Sequence, residues 1–161
     1  MSRVVVVLPL APLTVGESFL VSAWPLHITV VPPFATDASI AELAEAIFDA
    51  VGSEPELSVL ATDDALFGRR HNIPVTLVAD DERLSALRNR LIAALRPLAK
   101  DPDDRAFAGP EFRPHVTVKG SNRVHRGDQL RLSQVALVDM APRQSPTGRT
   151  VLDAIPLRPM S

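Results

Sequence analysis

The chain has 161 residues, 46% of them hydrophobic, and 17 Lys and Arg against 19 Asp and Glu leave a net charge of −2. That is the length of one domain, able to bury about two thirds of its unfolded surface, and nothing in the overall charge draws it to a polyanion, so any nucleic-acid contact must be local. There is no cysteine, which excludes a disulfide framework, a thiolate metal site and a thiol nucleophile together.

Residues 3 to 8 are a β-branched run, the pattern of a strand buried on both faces at the centre of a sheet. The run is short, Pro9 interrupts it, and no stretch of the chain approaches the ~18 apolar residues of a membrane span. The expectation is a first strand in a cytoplasmic protein with no membrane contact. In the connector that follows, residues 9 to 24, Pro9, Pro12 and Gly16 oppose a long helix, although Glu17 to Ala23 can make a turn or two. Pro25 then opens a strand carrying His27-Ile28-Thr29-Val30, and Pro32-Pro33 is expected to close it, because neither proline can donate to a ladder.

Ser39 and Glu42 have capping-box spacing, and Ile40, Leu43, Ala44, Ile47, Phe48 and Val51 share one helical face before Gly52. Residues 57 to 61 and 73 to 79 read as strands joined by the loop TDDALFGRRHN, whose basic tip, Arg69, Arg70 and His71, is either a solvated loop or a substrate contact. Asp80 or Asp81 can cap a second helix with Leu84, Leu87, Leu91, Leu95 and Leu98 along one face, limited by Pro97. A long loop from Lys100 to Arg113, with Phe107 and Phe112 embedded, delivers the chain to His115-Val116-Thr117-Val118. Strands at about 130 to 139 and 149 to 156 follow, separated by the turn-rich APRQSPTG.

The two His-x-Thr stretches organise this order. Successive side chains of a strand point to opposite faces, so His27 and Thr29 share one face and His115 and Thr117 repeat the arrangement. One such histidine would be an ordinary strand residue. Two among four histidines with the same spacing and the same apolar alternation point to a shared site. A strand, a connector and a His-x-Thr strand occur from residue 3 to 31 and again from 73 to 119, a weak internal repeat consistent with a pseudo-twofold axis bringing both polar faces to one cleft.

Imidazole titrates near neutrality, so one ring can take a proton from a nucleophile while the other protonates a leaving oxygen. Thr29 and Thr117 can donate hydrogen bonds to non-bridging phosphoryl oxygens, where charge must be held in the transition state. Threonine is a poor metal ligand and neither motif brings the carboxylate or second histidine a metal site needs, while the chain has no G-x-S-x-G turn for an activated serine. His71 and His125 lie outside both motifs and read as exposed polar residues. Arg113, Lys119, Arg123, Arg126 and Arg131 gather around the second motif, either as a solvated face or as a rim that steers phosphate.

The paired His-φ-Thr-φ strands, Pro114 before the second histidine and the downstream LSQVALVDMAP resemble the two-histidine (2H) phosphoesterase superfamily, which contains 2′-5′ RNA ligase-like and cyclic nucleotide phosphodiesterase proteins. The resemblance implies an α+β bilobal fold over residues 1–161, with an antiparallel sheet in each lobe, helices outside and a central cleft. It implies a metal-independent phosphoesterase without cofactor, with His27, Thr29, His115 and Thr117 catalytic and acting on RNA ends or small phosphodiester nucleotides, through 2′,3′-cyclic phosphate hydrolysis or 2′-5′ cleavage or ligation. Arg69, Arg70, Lys119, Phe34 and Phe112 are the expected substrate contacts, and a monomer is expected. A non-catalytic nucleotide or RNA-end binding module is the alternative.

Overall fold

The β-branched run near the N-terminus behaves as its composition requires. In the computed structural model, which describes residues 2–108, 112–140 and 148–159, the elements are β1 (Ser2–Pro9), β2 (Ser18–Phe19), β3 (His27–Thr36), α1 (Ile40–Val51), β4 (Leu57–Phe67), β5 (Ile73–Val78), α2 (Glu82–Leu95), α3 (Arg105–Ala108), β6 (His115–Thr117), β7 (Gln129–Leu132), β8 (Gln134–Asp139) and β9 (Arg149–Pro156), with 3-10 turns at Val21–Ala23 and Arg96–Leu98. Val4, Val6 and Leu8 of β1 enter one core cluster and Val5 and Val7 another. Burial on both faces is possible only inside a sheet, and β1 lies between β3 and β8, antiparallel to both. The expected turn at 141–148 falls, apart from Gly148, outside the described residues.

The expectation of a separate sheet in each lobe is corrected. The strands form one antiparallel sheet in the order β2-β9-β8-β1-β3-β6-β5-β4-β7. Its two halves meet where β3 pairs with β6 through Ile28 and Val116. Strand β6 has only three residues and is bordered on its other side by β5, so its short run of backbone donors and acceptors is used on both edges. Ser133 alone separates β7 from β8, yet five strands stand between them in the sheet. The sheet must therefore curl into a half-barrel until its β7 end returns toward β8. Backbone hydrogen bonds from Leu157 N to Ser133 O at 2.9 Å and from Glu56 N to Arg158 O at 2.9 Å tie that return.

Strand β3 continues through Pro32-Pro33 instead of ending there. Val4 faces Phe34 and Val6 faces Val31, so β3 carries one extra residue in that interval, a bulge that removes the ladder positions the prolines could not fill. On the other edge β3 meets β6 only at Ile28, well before the prolines. The 57–61 strand is likewise longer than its hydrophobic alternation indicated: β4 extends to Phe67 and pairs with β5 past a second irregularity between Ala61 and Asp64. None of the added residues is buried, which is why hydrophobic periodicity does not reveal them.

Two helices cover the main core face. Helix α1 begins with the expected capping box, Glu42 N donating to Ser39 Oγ at 3.1 Å and Ser39 N to Glu42 Oε1 at 3.0 Å. Its buried stripe, Leu43, Ile47 and Val51, is narrower than the sequence suggests, because Ile40 and Phe48 are exposed. Asp81 caps α2 through Arg83 N and Leu84 N, and Leu84, Leu87, Leu91 and Leu95 are buried. The main core face of the sheet is thereby closed, and the polar side chains of β3 and β6 lie on the other face, part of which a smaller cluster around Val5, Val7 and Trp24 covers.

Candidate active site

Ile28 and Val116 face each other and both are buried in the main core. Their neighbours along each strand must therefore project to the opposite, open face. Continuing the same antiparallel register sets His27 across from Thr117 and Thr29 across from His115, each threonine of one motif beside the histidine of the other. The two histidines are then diagonal neighbours, about 7–8 Å apart along the backbone diagonal with their Cβ atoms somewhat closer, a spacing that leaves room for a phosphoryl group between the rings. All four side chains are half-buried.

The same local hydrogen bond fixes both rings. His27 Nδ1 lies 2.8 Å from Pro25 O, and His115 Nδ1 lies 2.8 Å from Arg113 O. A carbonyl oxygen only accepts, so Nδ1 must carry the hydrogen in each ring, which leaves Nε2 as the free position that can take or give a proton. Each imidazole also rests against an aromatic ring. Trp24, from the turn before β3, stands 4.2 Å from the His27 ring, and Phe67, at the end of β4, stands 4.6 Å from the His115 ring at 65°.

The environments nonetheless differ. Burial lowers the pKa of His27 from 6.5 to about 4, against the raising effect of its bond to Pro25 and with smaller lowering contributions from Lys119 and His115. The His27 ring is thus neutral near pH 7. Lys119 Nζ and the Arg149 guanidinium both stand 5.8 Å from the centre of the Trp24 ring, and Lys119 is lowered in turn by burial and then by Arg149. A cationic corner therefore lies beside His27.

On the His115 side a cavity of about 480 Å³ opens, bounded by Thr29, His115, Phe67, Phe112, Arg88 and Arg113 among others. Of the expected substrate contacts, Phe112 lines this cavity and Lys119 lies by Trp24 near His27. Arg69 and Arg70 are exposed at the tip of the β4–β5 hairpin, while Gly68 and His71, on either side of them, line the cavity wall. Phe34 must be removed from the set. It is 0% exposed, packed in the main core with its ring 5.1 Å from that of Phe107, so no ligand can reach it.

The arginines near the second motif divide. Arg123 pairs with Asp64 at 2.5 Å, Arg131 with buried Glu56 at 2.8 Å and Arg126 with Asp63, so a carboxylate neutralises each of these three, whereas Arg113 borders the cavity. His125 is exposed, as expected. Trp24, Phe67, Arg88 and Arg105 were not singled out from the sequence. The only available signals were the single tryptophan three residues before His27 and a phenylalanine before Gly68. Among the described residues no three His, Asp or Glu side chains gather as a metal ion would need.

A profile of the 2′-5′ RNA ligase superfamily matches residues 11–143. The chain belongs to that superfamily, the two-histidine phosphoesterases. Solved structures of the superfamily type share its fold. TT0787 of Thermus thermophilus is similar with a TM-score of 0.66 at 16% identity, over 99% of this chain and 100% of that one. A crystal structure described as a phosphoesterase gives 0.61 at 18% identity over 98% of both chains. Escherichia coli LigT complexed with 3′-AMP gives 0.59 at 18% identity, over 97% of this chain and 98% of that one. No curated protein matches the chain. Among the described residues no helix is long and apolar enough to cross a membrane.

Proposed function

We propose that this 2H phosphoesterase opens 2′,3′-cyclic phosphates, or cleaves or joins 2′-5′ phosphodiesters, at RNA ends or on small nucleotides, by metal-independent acid–base catalysis between His27 and His115. The observation that carries the reading is the doubled device on one sheet face: two imidazoles, each with Nδ1 tied to a carbonyl two residues back and Nε2 left free. In hydrolysis of a cyclic phosphate His27, held neutral, removes the proton of the attacking water as the new P–O bond forms. His115 protonates the ribose oxygen that leaves, so one P–O bond is made, one is broken, and the proton count balances. Thr29 and Thr117 donate to the non-bridging oxygens, and Lys119 adds positive charge beside His27. Joining follows the same proton flow with a 5′-hydroxyl in place of water, and cleavage of a 2′-5′ linkage by the neighbouring ribose hydroxyl reverses it.

Support from relatives is limited to ligand class. Escherichia coli LigT has been crystallised with 3′-AMP, ATP, NADP+ and phosphate, which agrees with a nucleotide in the cavity here. The repeated arrangement of β1 with β3 and β5 with β6 fits a pseudo-twofold relation between two lobes of one domain. We read the protein as a cytoplasmic monomer.

The pH profile tests the assignment of roles. Protonation of His27 removes the base, so kcat/KM on a cyclic phosphate is expected to rise with pH through about 4, well below the ~6.5 of a free imidazole, and to fall at higher pH as the acid loses its proton, the apparent values belonging to the coupled pair. A lower limb at about 6.5 that disappears in His115→Gln would transfer the role of base to His115.

A further inference from the structure

Three arginines stand around the cavity on the His115 side, and their surroundings differ from those of the five arginines that pair with an acid. Arg90, Arg96, Arg123, Arg126 and Arg131 each meet a carboxylate. Arg88, Arg105 and Arg113 meet none among the described residues, and the cavity they line has no acidic side chain in its described wall. Two of the three lie on aromatic rings: the Arg88 guanidinium is 4.8 Å from the Phe112 ring centre and that of Arg113 is 4.9 Å from the Phe67 ring centre. A guanidinium laid on a ring is ordered without using its N–H edge, which stays available as a fork for phosphate oxygens. Arg88 Nε is buried and has no hydrogen-bond partner. A buried donor left unmatched is costly unless an acceptor arrives, and the acceptor that suits three unpaired guanidinium groups is an oxyanion.

The reacting phosphoryl group does not fill this role, since it must lie between His27 and His115 with the threonines and Lys119 around it. We infer that the Arg88–Arg105–Arg113 cavity binds a second phosphate of the same substrate, the one on the 5′ side of the nucleotide whose 2′,3′ end reacts, while Phe67 and Phe112 offer faces for the base or ribose. The inference rests on the proposed function and narrows its substrate class: the preferred substrate is a strand end or another 5′-phosphorylated nucleotide, and a lone nucleoside cyclic phosphate is a truncated one. Exposed Arg69 and Arg70 at the neighbouring hairpin tip extend the positive surface in the direction a longer strand would take.

The test compares three substrates with the wild-type protein: a nucleoside 2′,3′-cyclic phosphate with a free 5′-hydroxyl, the same nucleotide with a 5′-phosphate, and a dinucleotide ending in the cyclic phosphate. At low salt kcat/KM is expected to be at least about tenfold higher for the latter two than for the first, with the advantage shrinking as salt rises. A gain already complete with the 5′-phosphate identifies a phosphorylated mononucleotide as sufficient, and a further gain with the dinucleotide identifies a strand. In Arg88→Gln and in Arg105→Gln, a solvent-exposed position that leaves the core untouched, the ratio should fall toward one. A second measurement is independent of turnover: by calorimetric titration a nucleoside 3′,5′-bisphosphate should bind more tightly than the 3′-monophosphate, and Arg105→Gln should erase most of the difference. Absence of turnover on all three substrates with this binding preference intact would strike the proposed function and spare the second-phosphate site. Equal wild-type rates on the three substrates, equal affinities for the two products, or a ratio unchanged in both variants would overturn the site.

Discussion

Replacing His27 or His115 by alanine is expected to lower kcat on a cyclic-phosphate substrate by on the order of 10² to 10⁴, the range for losing a general acid or base. The loss should be of similar size for either, because in the proposed mechanism each ring handles one of the two proton transfers. Combining the two replacements should add little, since the remaining ring has no partner to work with. Thr29→Ala and Thr117→Ala should cost less, about tenfold each, because each removes a single hydrogen bond to the phosphate. Steady-state rates with purified variants, checked for folding by circular dichroism, decide it. A folded His27→Ala or His115→Ala that keeps near-wild-type turnover would end the two-imidazole mechanism.

The second large effect is on stability and falls on a residue that the sequence suggested for binding. Phe34 is on the same strand as His27 and Thr29, but it is 0% exposed and packs against Phe107. Phe34→Ala should destabilise the fold by about 3–5 kcal/mol through lost burial and the cavity left behind, a large part of the 5–15 kcal/mol typical of a domain. Urea unfolding would show it as a lower midpoint. A variant with an unchanged midpoint and a raised KM would restore Phe34 as a substrate contact.

Phe34 also shows where the sequence stops being legible. Ile28, Val30 and Phe34 share a parity, and alternation extended along β3 would have assigned all three to the core. The prolines at 32 and 33 argued for ending the strand, and only the bulge opposite Val4 and Val6 explains how β3 continues past them. Where the signal is local it holds: the β-branched β1, the Ser39–Glu42 capping box, the Asp81 cap and the two His-x-Thr faces all follow from spacing within a few residues. The rest of the site is built by distant pairings. Phe67 reaches His115 because β5 lies between β4 and β6, and Arg88 reaches the cavity from α2. Neither partnership leaves a mark in local periodicity. The lowered pKa of His27 comes from its burial in the folded chain, which the motif's spacing does not reveal.

Turnover in chelator is the most direct test of two imidazoles acting on a phosphodiester. A short oligonucleotide ending in a 2′,3′-cyclic phosphate is incubated with the wild-type protein in excess EDTA, and the position of the product phosphate is read by chromatography against 2′- and 3′-monoester standards. The proposed mechanism, with one Nε2 at the attacking water and the other at the leaving oxygen, predicts sustained hydrolysis in EDTA and a single monoester regioisomer, because only one ribose oxygen can face the acid. Binding of the oligonucleotide without turnover, or a rate that vanishes in EDTA and returns with added metal ion, would contradict the mechanism.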